Sequence, residues 1–188
     1  MKTDSYWVEA DGVKARATIK KGERDFVPVY RLEAPELSDS TKAFLEEEKE
    51  ELFKRVNLES GDVINPDKAL EVREKLLEAG KNLSKEKLGL GEAESAQVAA
   101  ALVHEMLGLG RAEFFLHDDW IEEITIPGGE EPAWVYHKKH GWLKTGVFTG
   151  GEERAVNYAS AIARQVGRQI NTQNPLLDAY LPTGDRLN

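Results

Sequence analysis

Cysteine is absent from this 188-residue chain, so neither a disulfide framework nor a zinc ribbon is open to it. No apolar run approaches the roughly 20 residues that cross a bilayer as a helix. The opening MKTDSYWVEADG lacks the apolar core of an export signal, so a cytoplasmic protein is expected. An excess of positive charge is missing too: 25 Lys and Arg stand against 34 Asp and Glu, a formal net charge of -9. That balance excludes a broad basic face of the kind nucleic-acid-binding domains carry, though not a local basic patch. No nucleic-acid partner is expected. Metal-ligand patterns fail on inspection. His104-Glu105 begins like the helical zinc motif of metalloproteases, but Gly108 stands where the second His is required. His137 and His140 have only a loop between them and no third ligand in view. They are read as a solvated turn, and no metal site is expected.

What is present permits an ordinary core, with 40% hydrophobic residues in a length suited to one large domain or two small ones. Residues 1–35 read as a β-like arm, ordered or partly so. Two alternating stretches flank Asp11-Gly12, a type I′ hairpin signal. Pro28 reduces the following Phe26–Tyr30 stretch to an edge or extended segment. Residues 36–116 read as a helical subdomain. Ser38 or Ser40 caps a helix to Val56 that buries Leu45 and Leu52. Asn65-Pro66 starts a second, which runs to Ala79 and stops at Gly80. A third spans Glu92 to Leu107 with Ala96, Ala99, Val103 and Met106 on one face, and a short fourth follows within Arg111–Asp118. The glutamates of the first helix read as a solvated face.

Residues 117–188 read as an α+β subdomain. Strands are expected near 121–126, 133–137, 142–148 and 176–181, with a helix at 152–166 packed on them. The expected class is therefore α+β, an N-terminal helical bundle followed by a mainly antiparallel β-sheet packed by helices. The 152–166 helix puts Ala155, Ala159, Ile162 and Ala163 on one side and Arg154, Asn157, Arg164 and Arg168 on the other. After it comes Gly167–Asn188, read as a strand, a Pro-Thr-Gly-Asp turn and the first residues of a return strand. A hairpin that ends there points to the front part of a longer protein.

Three runs in the last third carry a resemblance. They are Val135-Tyr136-His137-Lys138-Lys139-His140-Gly141-Trp142-Leu143-Lys144-Thr145, then Gly167-Arg168-Gln169-Ile170, then Pro175 to Arg186 with its Leu-Pro-x-Gly-x-Arg element. Together they resemble the N-terminal domain of the type II/type IV secretion ATPase superfamily, in a form that looks archaeal and most like the archaellum motor. The resemblance implies a downstream RecA-like domain that holds ATP and Mg2+, and a homo-hexameric ring. It also implies a membrane platform protein and accessory subunits as partners. Family arginines of this domain face the nucleotide, which assigns Arg186 to that role, with Arg168 ahead of Arg164 as the second. Asp178 is expected to pair with an arginine rather than act as a base. No G-x-x-x-x-G-K-[ST] loop occurs in the chain. ATP is therefore not expected to bind tightly to this segment, nor to be hydrolysed by it alone. The rival reading is a non-catalytic interaction module that docks a partner through its acidic helices.

Overall fold

The computed structural model describes residues 3–22, 26–35, 37–57, 68–107, 109–127, 130–148, 150–165, 167–170, 179–180 and 186–187. The class is α+β, as expected, but strands rather than helices come first. β1 (Asp4–Ala10), β2 (Val13–Lys20) and β3 (Val29–Glu33) precede α1 (Asp39–Val56), α2 (Ala69–Leu88) and α3 (Glu92–Leu107). A 3-10 turn at Gly110–Ala112 runs into the one-turn α4 (Glu113–Leu116). Then come β4 (Ile121–Thr125), β5 (Pro132–His137), β6 (Gly141–Phe148) and α5 (Glu152–Gln165). Two short strands, β7 (Ala179–Tyr180) and β8 (Arg186–Leu187), close the sequence of elements.

The first strands are half of the main sheet, whose order is β1-β2-β3-β6-β5-β4. Asp11 and Gly12 both have positive φ, as a type I′ turn demands. The turn sets a register that pairs Ala10 with Val13 and Trp7 with Arg16. Alternation then sends Val8, Ala10, Ala15, Ala17 and Ile19 into the core and Trp7, Lys14 and Arg16 to solvent. Pro28 does not make β3 an edge. It sits just outside the strand and accepts from the Lys144 N–H at 3.2 Å, while Val29 and Tyr30 pair in parallel with Lys144 and Thr145. This parallel seam joins two antiparallel meanders, β1-β2-β3 and β4-β5-β6. The expected strand near 176–181 is not part of that sheet. Its described residues, 179–180, pair only with 186–187, although β8 approaches β4.

Helices cover the inner face. Ser38 caps α1 by accepting the Thr41 N–H at 3.1 Å. Leu52, Leu76, Leu83 and Leu102 are fully buried between α1, α2 and α3, each stabilising the fold by about 1.5–3 kcal/mol relative to exposure. Gly80 does not end the second helix. α2 runs on to Leu88, where Gly89 takes the left-handed cap. The Asn65-Pro66 start lies outside the described residues. Gly80 instead lets two helices meet: a Cβ there would come within 3.3 Å of the Ala99 backbone and side chain in α3. α3 has two working faces, with Leu102 and Val103 toward the helices and Ala100 in the sheet core. α5 joins the same sheet core through Tyr158, Ile162 and Ala163. No helix among the described residues is long and apolar enough to cross a membrane.

Candidate functional site

The arginines singled out by the sequence lie at the chain's C-terminal end. Arg168 is exposed just beyond α5, and its backbone N–H returns to the Ala163 carbonyl at 2.8 Å, which closes the helix. Arg164 belongs to the last turn of α5, and Arg186 opens β8 opposite Tyr180. The side chains of Arg164 and Arg186 lie outside the described residues, as does Asp178. Arg154, at the other end of the stripe, stands 3.9 Å from Glu105 of α3.

Two polar constellations inside the fold were not legible in the sequence. The first centres on Asp118, which follows α4 and is 5% exposed. Its Oδ2 accepts the hydroxyls of Tyr6 at 2.8 Å and Tyr30 at 2.9 Å, and its Oδ1 accepts the Trp120 N–H at 3.0 Å. Burial, and then the Asp118 carboxylate, push both phenols well above their usual range, so they stay protonated and remain donors. One carboxylate thus ties β1 and β3 to the start of β4. Tyr6 and Tyr30 occupy inward positions of their strands, and a buried tyrosine needs a partner for its hydroxyl. That was the one available signal.

His137 borders this cluster. The expected solvated turn is corrected here: the His137 ring is 2% exposed and stacks on Trp120 at 5.8 Å with an angle of 4°. β5 carries it inward because Val135 and His137 share the buried phase of the strand. Its Nδ1 accepts the Lys139 N–H at 3.0 Å, which leaves the proton on Nε2, buried and without a partner. His140, by contrast, reaches the half-exposed Asp4 at 3.2 Å. No three metal-binding side chains gather among the described residues. Burial, and then the neighbouring His140, lower the His137 pKa below its ordinary 6.5. With the folded value below the unfolded one, the stabilisation is complete above pH 6.5 and is lost as pH falls toward the folded value. Melting temperature should therefore drop between about pH 7.5 and 5.5, and His137→Phe, which keeps the stack on Trp120, should flatten that slope. Differential scanning calorimetry across this range is the check, and an unchanged slope in the variant would remove His137 as the titrating group.

The second constellation ties the β1-β2 turn to the helices. Arg73 of α2 donates to Asp11 Oδ1 at 2.9 Å, to Asp11 Oδ2 at 2.5 Å and to Glu113 Oε1 at 2.6 Å. His104 of α3 meets Asp11 Oδ2 at 2.6 Å, and the free Glu113 oxygen accepts the Leu109 N–H at 3.0 Å. Burial alone would raise the Asp11 pKa, but the bonds from His104 and Arg73 outweigh it and hold this carboxyl far below its usual range. Every member of the cluster has a partner, so it reads as a lock between layers rather than as reactive chemistry. Beside it a cavity of about 560 Å³ opens between α1, α3 and the 3-10 turn.

Several acidic side chains of α1 are engaged in ion pairs, while Glu47 and Glu50 are exposed. Glu46 pairs with Lys49, Glu51 with Arg55, Glu48 with Lys87, and Arg55 also reaches Glu86. Glu92 is held between Lys81 and Lys85. Solvent screening makes exposed pairs of this kind weak contributors to stability.

Comparison with known proteins finds relatives in one archaeon, Methanocaldococcus jannaschii. The uncharacterized protein MJ1288 is 28% identical over 102 residues, 54% of this chain and 40% of its own length. The uncharacterized protein MJ0781 is 38% identical over 80 residues, 43% of this chain and 11% of its own length. The uncharacterized protein MJ0900 is 31% identical over 87 residues, 46% of this chain and 16% of its own length. The matches thus cover between 11% and 40% of the length of these relatives. No known family profile matches it.

Proposed function

We propose that this chain is the nucleotide-facing N-terminal domain of a hexameric motor ATPase of the type II/type IV secretion superfamily, in its archaeal branch, serving an archaellum, pilus or secretion machine. The observation that carries the reading is the pairing of Ala179 with Leu187 and of Tyr180 with Arg186. These paired segments flank residues 181–185, the centre of the Leu-Pro-x-Gly-x-Arg element, and set Arg186 at the head of the return strand. The archaeal source of the relatives, and their greater length, agree with the reading.

ATP and Mg2+ belong on the RecA-like domain in this mechanism, because the chain has no Walker A loop and isolated guanidinium groups attract phosphate without cradling it. The chain's own part is to bring planar, permanently charged groups to the terminal phosphate as the two domains close. Loss of that phosphate on hydrolysis releases the contact and lets the domain swing. The helical layer faces the membrane platform protein and accessory subunits.

Residues 1–188 by themselves should therefore show no ATP turnover and no tight magnesium-dependent ATP binding. Isothermal titration calorimetry and a phosphate-release assay measure both. A submicromolar magnesium-dependent site on this segment would sink the assignment. So would a coding sequence that lacks a Walker A loop downstream of the Arg186 element.

A further inference from the structure

The cavity beside the Asp11 cluster has the makings of a ligand site. Its volume of about 560 Å³ lies within the range of roughly 300–1,000 Å³ typical of small-molecule pockets. Its walls are apolar: Val13 from β2, Leu45 from α1, Ala101 from α3 and Phe114 from α4 contribute side chains from four different elements. The 3-10 turn at one side of the cavity is closely packed against α5 and the end of α3. Gly110 has φ +55, and a Cβ on it would meet the Tyr158 hydroxyl at 2.5 Å and Glu105 Oε1 at 3.0 Å. α5 and the end of α3 thus close against the glycine, while the space toward α1 stays open.

Two guanidinium groups line this apolar space, Arg111 from the 3-10 turn and Arg154 from α5. Both retain donors for a ligand. Arg111 gives one N–H to the Leu32 carbonyl at 3.1 Å, which orients its planar group. Arg154 is half exposed and only loosely engaged, 3.9 Å from Glu105. Lys42 also lines the space, but its ammonium is paired with Asp39 at 3.0 Å. Guanidinium donors favour flat or tetrahedral oxyanions, which accept two parallel bonds, and the apolar walls favour a hydrocarbon body. Glu46 and Glu105 also line the space, and they disfavour a second negative charge.

We infer that this cavity binds a small amphipathic monoanion, an aromatic or branched aliphatic body bearing one carboxylate, sulfonate or phosphodiester head. The head lies against Arg111 and Arg154, and the body fills the space between Leu45 and Phe114. The site is independent of the nucleotide reading, since none of its residues belongs to the Gly167–Asn188 stretch. Occupancy would bridge α1, α3 and α5, so a ligand would stabilise the docking of α5 on the helices.

The test uses residues 1–188 and 8-anilinonaphthalene-1-sulfonate, an aromatic body with one sulfonate, against its uncharged analogue N-phenyl-1-naphthylamine. The expected result is one saturable sulfonate site on the fully folded protein, a raised melting temperature, and weaker binding of the neutral analogue. Arg154→Met should weaken sulfonate binding about tenfold, the loss of one charge-assisted hydrogen-bonding pair. Ala43→Trp, a substitution on an exposed lining position of α1, should block both probes. Arg111→Met is expected to act as Arg154→Met does, and Arg154→Met decides alone if loss of the Leu32 contact unfolds that variant. No saturable site, equal affinity for the two probes, or sulfonate affinity unchanged in both Arg154→Met and Ala43→Trp would each overturn the inference.

Discussion

Arg73→Met is expected to destabilise the chain by about 3–5 kcal/mol, the range for removing one partner from a buried ion pair. The Arg73 side chain is 17% exposed, and its two carboxylate partners, Asp11 and Glu113, are 10% and 4% exposed. Methionine fills much of the same space, so the loss reports charge rather than volume. Two carboxylates would then face each other in a dry interior with only His104 and the Leu109 N–H left to them. Urea unfolding of the variant measures the effect. Adding Asp11→Asn and Glu113→Gln to Arg73→Met should recover a large part of it, because the remaining groups no longer need a counter-charge. Asparagine suits this turn, since it tolerates the left-handed φ of 49° that Asp11 adopts. A triple variant as unstable as the single one would mean that packing, not charge, holds the layers together. The cluster also makes the fold acid-sensitive. The Asp11 carboxyl is depressed in the folded state, so its contribution is complete above its unfolded value of 3.8 and declines as pH falls below it.

Arg186→Ala and Arg168→Ala are each expected to lower kcat roughly 100-fold or more in the proposed full-length ATPase, within the range for arginine fingers in phosphoryl transfer. The expectation rests on the proposed function. It comes from the position of Arg186 at the head of β8 and of Arg168 at the exposed end of α5. Lysine should rescue either site poorly, because a point charge does not reproduce a bidentate fork. Arg31, exposed on β3 between the buried Tyr30 and Leu32, serves as the control and should leave turnover unchanged when replaced by Ala. Steady-state ATPase rates decide the matter, with thermal melting to confirm folding. Normal turnover in both the Arg186 and Arg168 variants would reduce these arginines to solvated surface groups.

Local signals in the sequence were read well where the physics is local. The Asp11-Gly12 turn, the Ser38 cap and the three strands of the second meander each depend on a few neighbouring residues, and each is found. Gly80 lies inside α2 and does not stop it. A glycine in a helix looks like a stop when only its weak propensity is considered. Its use appears when Ala99 of the next helix is seen against it. Pro28 misled in the same way, since a missing N–H argues against a central strand only if the proline lies within the paired residues.

Composition, periodicity and turn chemistry were thus enough to determine the α+β class and most element positions. They act over a few residues, and the sequence displays those directly. The tertiary structure alone decided that β1, β2 and β3 complete the sheet through a parallel seam with β6. It also decided that Tyr6 and Tyr30 converge on Asp118 across separations of 112 and 88 residues. The Arg73 lock and the cavity beside it belong to the same category. These depend on which surfaces meet after the helices fold over the sheet, and no spacing along the chain encodes a contact between residues that become neighbours only when buried area and satisfied charge select one packing.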